Sequence, residues 1–433
     1  MRPKLDSRLA TLLRAASPRG EPDPVESADE SGERGRIVLA TGAKPMSLTR
    51  AARRLAGDGL LAVTATPRGL RSAQRILEQE GLAHRGTFLR SSRALVQASA
   101  GGRRLFAEQS VLPGTRALAL RFAPVAVVAR SATPLALFTH RDGPHPLAWV
   151  SADGAGAATL IAGHRSESVS IRVESAGAFA KWATAADDVE RLTRAHERSD
   201  AFAPGARSAG FDVPESRLLR LGGAAALVTA ARPGHTAASI LRRRPSGLPD
   251  LADRVVSTLE AWNLGSRQVT AFGTSRAARQ LLSDLEVLEP QLDPVQARTI
   301  RRQLSDFAAE TVPVAPAHGD VSMWNLVVGP RGLTLVDWEA ACEEMLPGFD
   351  AEYALVDATA AASSYADRIA AFSRAPVDAV RRRIAATTGL PATIAPLVPV
   401  SCWAHHAANE VRSGGHDGSF LAILRLVLAD VLQ

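Results

Sequence analysis

Residues 317–341 read AHGDVSMWNLVVGPRGLTLVDWEAA and set His318, Asp320, Asn325 and Asp337 around a short apolar hairpin. NLVV (325–328) and LTLV (333–336) have the length and composition of two strands, and GPRG (329–332) supplies a turn with a glycine at each end. With Gly329 paired to Gly332, Val328 faces Leu333 and Asn325 falls opposite Val336, next to Asp337. This register brings Asn325 and Asp337 together at the open end of the hairpin, about 5 to 8 Å apart by cross-strand spacing. Asp320 lies in the loop that enters the same end. Three oxygen-bearing side chains, with no cysteine and no histidine pair, form a hard donor set that suits Mg²⁺. That is the equipment of phosphoryl transfer, in which one aspartate orients the acceptor hydroxyl while an asparagine and a second aspartate hold the ion on the phosphates.

HGDVSMWN (318–325) resembles the HGD-x-x-x-x-N catalytic loop of the aminoglycoside phosphotransferase-like kinases, and VDWE (336–339) is similar to their metal-binding DWE. PGFDAEYAL (347–355) fits as well, with Asp350 resembling the aspartate that steadies the site from the following helix. The resemblance covers about residues 145–433. It implies that Asp320 is the catalytic aspartate, positioning the acceptor hydroxyl and taking its proton late. It implies that Asn325 and Asp337 are magnesium ligands and that the phosphoryl donor is ATP or GTP. His318 is expected to brace the loop by hydrogen bonds, Glu339 to support the metal turn, and Trp324 to pack in the core.

Among 51 basic residues only Lys4, Lys44 and Lys181 are lysine. A chain that uses arginine for generic positive charge keeps a lysine in a folded segment for its compact ammonium. Lys181 lies in the third strand of a short meander, directly before a helix. There the resemblance implies the lysine that holds the α- and β-phosphates of the donor. Kinases pair this lysine with a glutamate of the next helix; at the position similar sequences use, this chain has Ala195. Glu197 is therefore the expected partner, with Glu190 the alternative register. The loop GHRSES (163–168) has one glycine and offers little backbone to cradle phosphate.

The elements that must position these residues follow from periodicity. ATLIAG (158–163), SVSIRVE (168–174) and AFAKWA (178–183) alternate between Gly/Ser turns as an antiparallel meander. A helix over 187–199 follows, then RLLRLGG and AAALVTAA as two more strands. Beyond 247 the spacing predicts helices nearly throughout, apart from the hairpin. Upstream, RIVLATG (36–42), LTRAARRLA (48–56), LLAVTAT (60–66) and RSAQRILEQEG (71–81) alternate strand and helix as an α/β unit. ARRLAGDGLLAV resembles a late part of the class I methyltransferase fold. No glycine-rich cofactor loop precedes it, so a cofactor-free accessory domain is expected. Residues 15–35 carry Pro, Gly, Ser and charge with almost nothing to bury, as a tail does.

Composition bounds the remaining classes. The chain's 433 residues exceed one ordinary core, and two cysteines, Cys342 and Cys402, cannot build a disulfide framework. The start has positive charge without a signal-peptide core, and no segment reaches about 18 uncharged apolar residues. A cytoplasmic protein without membrane spans is expected. The net charge of +7 is spread along the chain, and its densest clusters, at 242–244 and 381–383, carry no interleaved aromatics, so nucleic acid is not an expected partner. Cys402, His405, His406, Glu410 and His416 read as one packed helix rather than a metal site.

The sequence thus describes an α+β protein. A tail (1–35) and a small α/β domain (36–144) precede a bilobal, protein-kinase-like fold with an antiparallel sheet lobe (145–240) and a helical lobe (241–433). The expected activity is ATP- and Mg²⁺-dependent transfer of a γ-phosphoryl to a hydroxyl of a small molecule, such as a sugar, an aminoglycoside or a related metabolite. Glu339, Glu343 and Glu344 offer an acidic wall for a cationic acceptor. The alternative is a catalytically silent kinase-like module that binds a nucleotide or partner, with the N-terminal domain as its interaction surface.

Overall fold

The computed structural model describes residues 26–27, 35–41, 44–53, 55–90, 94–97, 135–140, 158–163, 169–173, 177–183, 186–221, 224–412 and 418–431. Most of the expected tail, the centre of the GHRSES loop and His416 lie outside them. The chain divides into two compact units. One takes the sequence up to Thr193 with Glu215–Ala231; the other takes Arg194–Pro214 and the sequence from Arg232 onward.

In the first unit the strands Gly35–Thr41 and Leu55–Thr64 run parallel, Val38 opposite Leu61, with the helix Pro45–Arg53 between them. The helix Pro67–Gln79 starts where Thr66 accepts a hydrogen bond from the Gly69 amide and Pro67 fills the first helical position. Their apolar spacing buries Leu48, Ala51, Leu70, Ala73 and Leu77 against Leu61, Val63 and Leu82. The α/β alternation then ends, because Leu135–His140 pairs antiparallel with both Leu55–Thr64 and Leu82–Arg90. Through Ala94–Gln97 the same sheet continues into the meander Ala158–Gly163, Val169–Val173, Ala178–Ala183, making one mixed sheet of eleven strands. Ser216–Leu221 and Ala224–Ala230 close it as an antiparallel pair. The five expected strands of the sheet lobe are all present. Lys181 sits on Ala178–Ala183, opposite Ser170 on one side and Leu227 on the other.

The helix after Lys181 is longer than its sequence suggests, running Ala186–Ser208 with Pro204 inside it. Propensity favours a stop at AFAPGARS, but packing overrides it. Ala203 and Ala206 are buried, and a Cβ on Gly205 would lie 2.9 Å from Ser266 Oγ and 3.1 Å from Trp262 Nε1. The glycine thus lets this helix close onto the helix Leu248–Ser266.

The second unit is built around the helix Phe349–Ala362, buried nearly all round. Against it pack Leu248–Ser266 and Leu397–Arg412, the latter carrying Ser419–Val431, which reaches the central helix through Phe420, with Trp262, Phe349 and Trp403 among the fully buried side chains. It is less purely helical than expected. TVPVAPA, disguised by two prolines, forms the strand Thr311–Ala317 between Gln268–Ala271 and Cys342–Met345. The hairpin strands Leu326–Gly329 and Gly332–Leu335 are flanked by His235–Thr236 and Phe211–Asp212. No helix among the described residues is long and apolar enough to cross a membrane.

Candidate active site

The hairpin adopts the register its glycines predict: Gly329 pairs with Gly332, Val328 with Leu333, and Leu326 with Leu335. The Val336 amide donates to the Asn325 carbonyl at 3.0 Å, so Asn325 and Asp337 meet at the open end. The turn cannot slide, because Gly329 and Gly234 pack backbone to backbone. A Cβ on Gly329 would lie 2.1 Å from the Pro233 carbonyl oxygen, and one on Gly234 would lie 2.4 Å from that of Val328.

The loop 318–325 hangs from the central helix by its own amides. Asp350 accepts from the His318 amide at 2.7 Å and the Gly319 amide at 2.9 Å, and the His318 and Asp350 side chains are both buried. Seven residues on, two helical turns along the same face, Asp357 accepts from the Met323 amide at 2.7 Å. The His318 ring donates through Nε2 to the Val336 carbonyl at 3.1 Å and stands edge-on to Trp338, 4.8 Å between centroids. His318 thus ties the loop to the backbone that leads from the strand Gly332–Leu335 into Asp337. Gly319, at φ +79°, is required: a Cβ there would lie 2.4 Å from the Ala340 carbonyl oxygen.

Within this frame Asn325 Nδ2 donates to the Asp320 carboxylate at 2.9 Å and to the Asp320 carbonyl at 3.0 Å. Asp337 stands in the left-handed region, φ 72° and ψ 70°, at the head of the single turn Trp338–Ala340. Burial, with the Asp337 and Asp357 carboxylates close by, pushes the Asp320 carboxyl up to about 7. Burial likewise raises Asp350 to about 6, against the pull of the two amides it accepts from.

Two carboxylates that repel one another and an amide whose NH₂ is committed to Asp320 leave oxygens as the donor atoms. This chemistry fits Mg²⁺, which would relieve the crowding of charge. The fit is to a pair of carboxylates plus an amide; among the described residues no group of three or more His, Cys, Asp or Glu side chains is placed to hold a metal.

Other candidates resolve differently. Ala195 is buried, and Glu197 and Glu190 lie on the exposed side of the helix Ala186–Ser208. The residue after Glu197, Arg198, is the one that reaches the hairpin end, donating from its guanidinium to the Glu339 carbonyl. The acidic wall is already engaged in part. Glu344 accepts from the Arg276 amide at 2.7 Å, at the start of the helix Arg276–Leu288, and Glu343 pairs with the Arg276 guanidinium at 3.0 Å. On Leu397–Arg412 the described members of the other cluster are packed or hydrogen-bonded within the protein. His406 stacks on Tyr353 at 3.8 Å and burial drives its pKa well down, His405 donates to the buried Asp284, and burial raises both thiols.

Sequence reasoning missed Asp357 and Arg198. Asp357 had a signal, its spacing of seven from Asp350 on an otherwise apolar helix. Arg198 had none, being one of many arginines on an amphipathic helix.

No protein-family model matches the sequence, and no curated protein does. Part of this chain is similar to several solved structures. They include aminoglycoside 2'-phosphotransferase-IIIa in its GDP complex, at 14% identity over 61% of this chain and 89% of that one, TM-score 0.38. A choline/ethanolamine kinase family protein from Mesorhizobium loti matches at 16% identity over 61% and 84%, TM-score 0.36. The choline kinase LicA from Streptococcus pneumoniae matches at 11% identity over 66% and 97%, TM-score 0.40. At such identities and scores the roles of individual residues rest on the site itself.

Proposed function

We propose that this protein is a small-molecule kinase that moves the γ-phosphoryl of ATP, or of GTP, to an acceptor hydroxyl. The observation that carries the reading is the convergence of Asp320, Asn325 and Asp337 at the end of one hairpin, on a loop held by two buried aspartates. A structural hairpin needs no such arrangement, and crowding Asp320 among carboxylates costs stability that a bound cation would offset.

Asn325 and Asp337 would hold Mg²⁺, which when bound offsets the negative charge of the donor phosphates. Asp320 faces the acceptor. Its carboxylate accepts the hydroxyl hydrogen, turns the oxygen toward the phosphorus and takes the proton as the new P–O bond forms and the bond from the γ-phosphorus to the bridging oxygen breaks, that oxygen leaving with ADP. The Asn325 amide keeps Asp320 in one rotamer for that task. His318, Asp350 and Asp357 act through the backbone by fixing where the loop lies. Lys181, with Glu197 as its partner, is assigned to the donor phosphates on the sequence resemblance alone.

The test is ADP release from ATP with Mg²⁺ over a panel of hydroxyl acceptors spanning sugars, amino sugars and amino alcohols. Turnover with at least one acceptor is expected, and Asp320→Ala should abolish it. An Asp320→Ala variant that keeps the wild-type rate would show that the loop is not the catalytic centre. Nucleotide binding with no turnover on any acceptor would favour the silent module, a reading to which the exposed Glu197 and buried Ala195 lend some support.

A further inference from the structure

The turn Trp338–Ala340 holds the one aspartate of the site whose backbone is strained. A non-glycine residue in the left-handed region persists only where its surroundings over-determine it. Each residue after Asp337 has such a constraint. The Trp338 ring is buried, edge-on to His318 and to Trp262, 5.8 Å from the latter. The Ala340 carbonyl lies against Gly319 so closely that no Cβ fits between them. The Ala341 amide closes the turn on the Trp338 carbonyl at 3.2 Å. The Glu339 carbonyl, pointing out of the turn, is taken by the Arg198 guanidinium from a helix 141 residues away in sequence.

Arg198 is not placed there by simple charge pairing. Burial lowers its pKa, and the nearby arginines Arg276 and Arg194 lower it further, against the opposing influence of Cys342 and Glu343. A half-buried guanidinium directed at a neutral carbonyl gains geometric control of that carbonyl rather than a strong ion pair.

We propose that Arg198 is a positioning residue for divalent-metal binding: by holding the Glu339 carbonyl it locks the left-handed backbone of Asp337, and so ties the helix Ala186–Ser208 to the metal site. The metal half of this inference rests on the function proposed above; the locking of the turn does not. Asp320 and Asn325 hang from Asp350 and Asp357 instead, so loss of Arg198 loosens Asp337 and leaves the loop 318–325 in place.

The test uses the full chain as wild type, Arg198→Met and Arg198→Lys. Mn²⁺ affinity in the presence of ATP is measured by electron paramagnetic resonance, and amide hydrogen exchange is measured on the metal-free proteins. Arg198→Met should weaken Mn²⁺ binding about tenfold, the equivalent of roughly 1.4 kcal/mol. It should also speed exchange in the peptide covering 338–341 and leave that covering 318–325 unchanged. Arg198→Lys, whose ammonium can still donate to a carbonyl, should recover part of both effects. Turnover of Arg198→Met should recover at high Mg²⁺, a change in the metal requirement rather than in kcat.

Unchanged exchange at 338–341 in Arg198→Met would overturn the lock whether or not the protein binds metal. Equal Mn²⁺ affinity in wild type and Arg198→Met would overturn its link to the ion. Wild type that binds no Mn²⁺ at all would sink the kinase reading and the metal half of this inference, with the exchange result still deciding the lock. Should Arg198→Met fail to fold, wild type against Arg198→Lys decides, since a generic packing role predicts no difference in Mn²⁺ affinity between two folded proteins.

Discussion

At the residue scale, the site sets stability against function in a way that pH exposes. The folded protein holds the Asp320 carboxyl up at about 7, whereas the unfolded chain titrates in the usual carboxylate range near 4. Between those values the folded state binds more protons than the unfolded one, so metal-free stability falls as pH rises through this window. Asp320→Asn removes the titration. In EDTA its melting temperature should match wild type only below about pH 4 and exceed it by a margin that grows up to pH 8, and Mg²⁺ with ATP should narrow the gap by offsetting the Asp320 and Asp337 charge that only wild type carries as a pair. Equal melting temperatures at pH 8 in EDTA would mean that the carboxylates do not crowd. Gly319 makes a second prediction. Its positive φ and its contact with the Ala340 carbonyl leave no room for Cβ. Gly319→Ala should lose about 2 to 4 kcal/mol in a denaturant titration, from backbone strain together with overpacking.

The juxtaposition of these side chains was the most legible part of the sequence. Asp320, Asn325 and Asp337 could be brought together on paper because a hairpin with a glycine at each end of its turn has few registers, and one of them put polar residues at the open end. Arg198 was not legible, because nothing in a helical pattern says which of its arginines will find a carbonyl 141 residues downstream.

At the scale of elements, the helix Phe349–Ala362 and the hairpin do the positioning. Asp350 accepts two amides with two oxygens, and an asparagine offers only one acceptor. Asp350→Asn leaves a buried amide facing an NH₂ group, a loss of roughly 1 to 3 kcal/mol. It should slow turnover sharply while the nucleotide's own affinity changes little, as separate measurements of kcat and nucleotide Kd would show. The hairpin makes the opposite case to the usual strand rule. Alanine ordinarily improves on glycine in a strand, but Gly329→Ala should lower the melting temperature by several degrees, because Cβ would fall on the Pro233 carbonyl.

Sequence periodicity found these elements unevenly. AFAKWA came out to the residue, since alternation within a meander has little competition. The helix Ala186–Ser208 was cut short because Pro204 and Gly205 carry a local signal to stop, which packing against Trp262 and Ser266 outweighs. Thr311–Ala317 was taken for part of a helical region because two prolines in seven residues obscure a strand.

At the scale of the whole molecule, the chain's charge is the least informative property and its scarcity of lysine the most. A net +7 made largely of arginine spread along the sequence singles out no residue, whereas a single lysine on the meander stands out. Lys181→Met should fold as wild type and lose most nucleotide affinity, a result calorimetry with ATP would give directly. The eleven-stranded sheet was not foreseen as one object: local pattern found the first two strands and helices and the strands of the meander, but pairing between Ala94–Gln97 and Ala158–Gly163 is a long-range contact that it cannot report.

The central claim is that Asp320, Asn325 and Asp337 form a magnesium–nucleotide site, and thermal melting tests it most directly. Wild type and Asp337→Ala would be melted with ATP, with and without Mg²⁺. A ligand bound only by the folded state stabilises it by mass action, about 2.7 kcal/mol at a hundredfold excess over Kd. A rise in the wild-type melting temperature that requires Mg²⁺ and is lost in Asp337→Ala is the expected result. An equal rise in both proteins, or none in either at millimolar nucleotide, would contradict it.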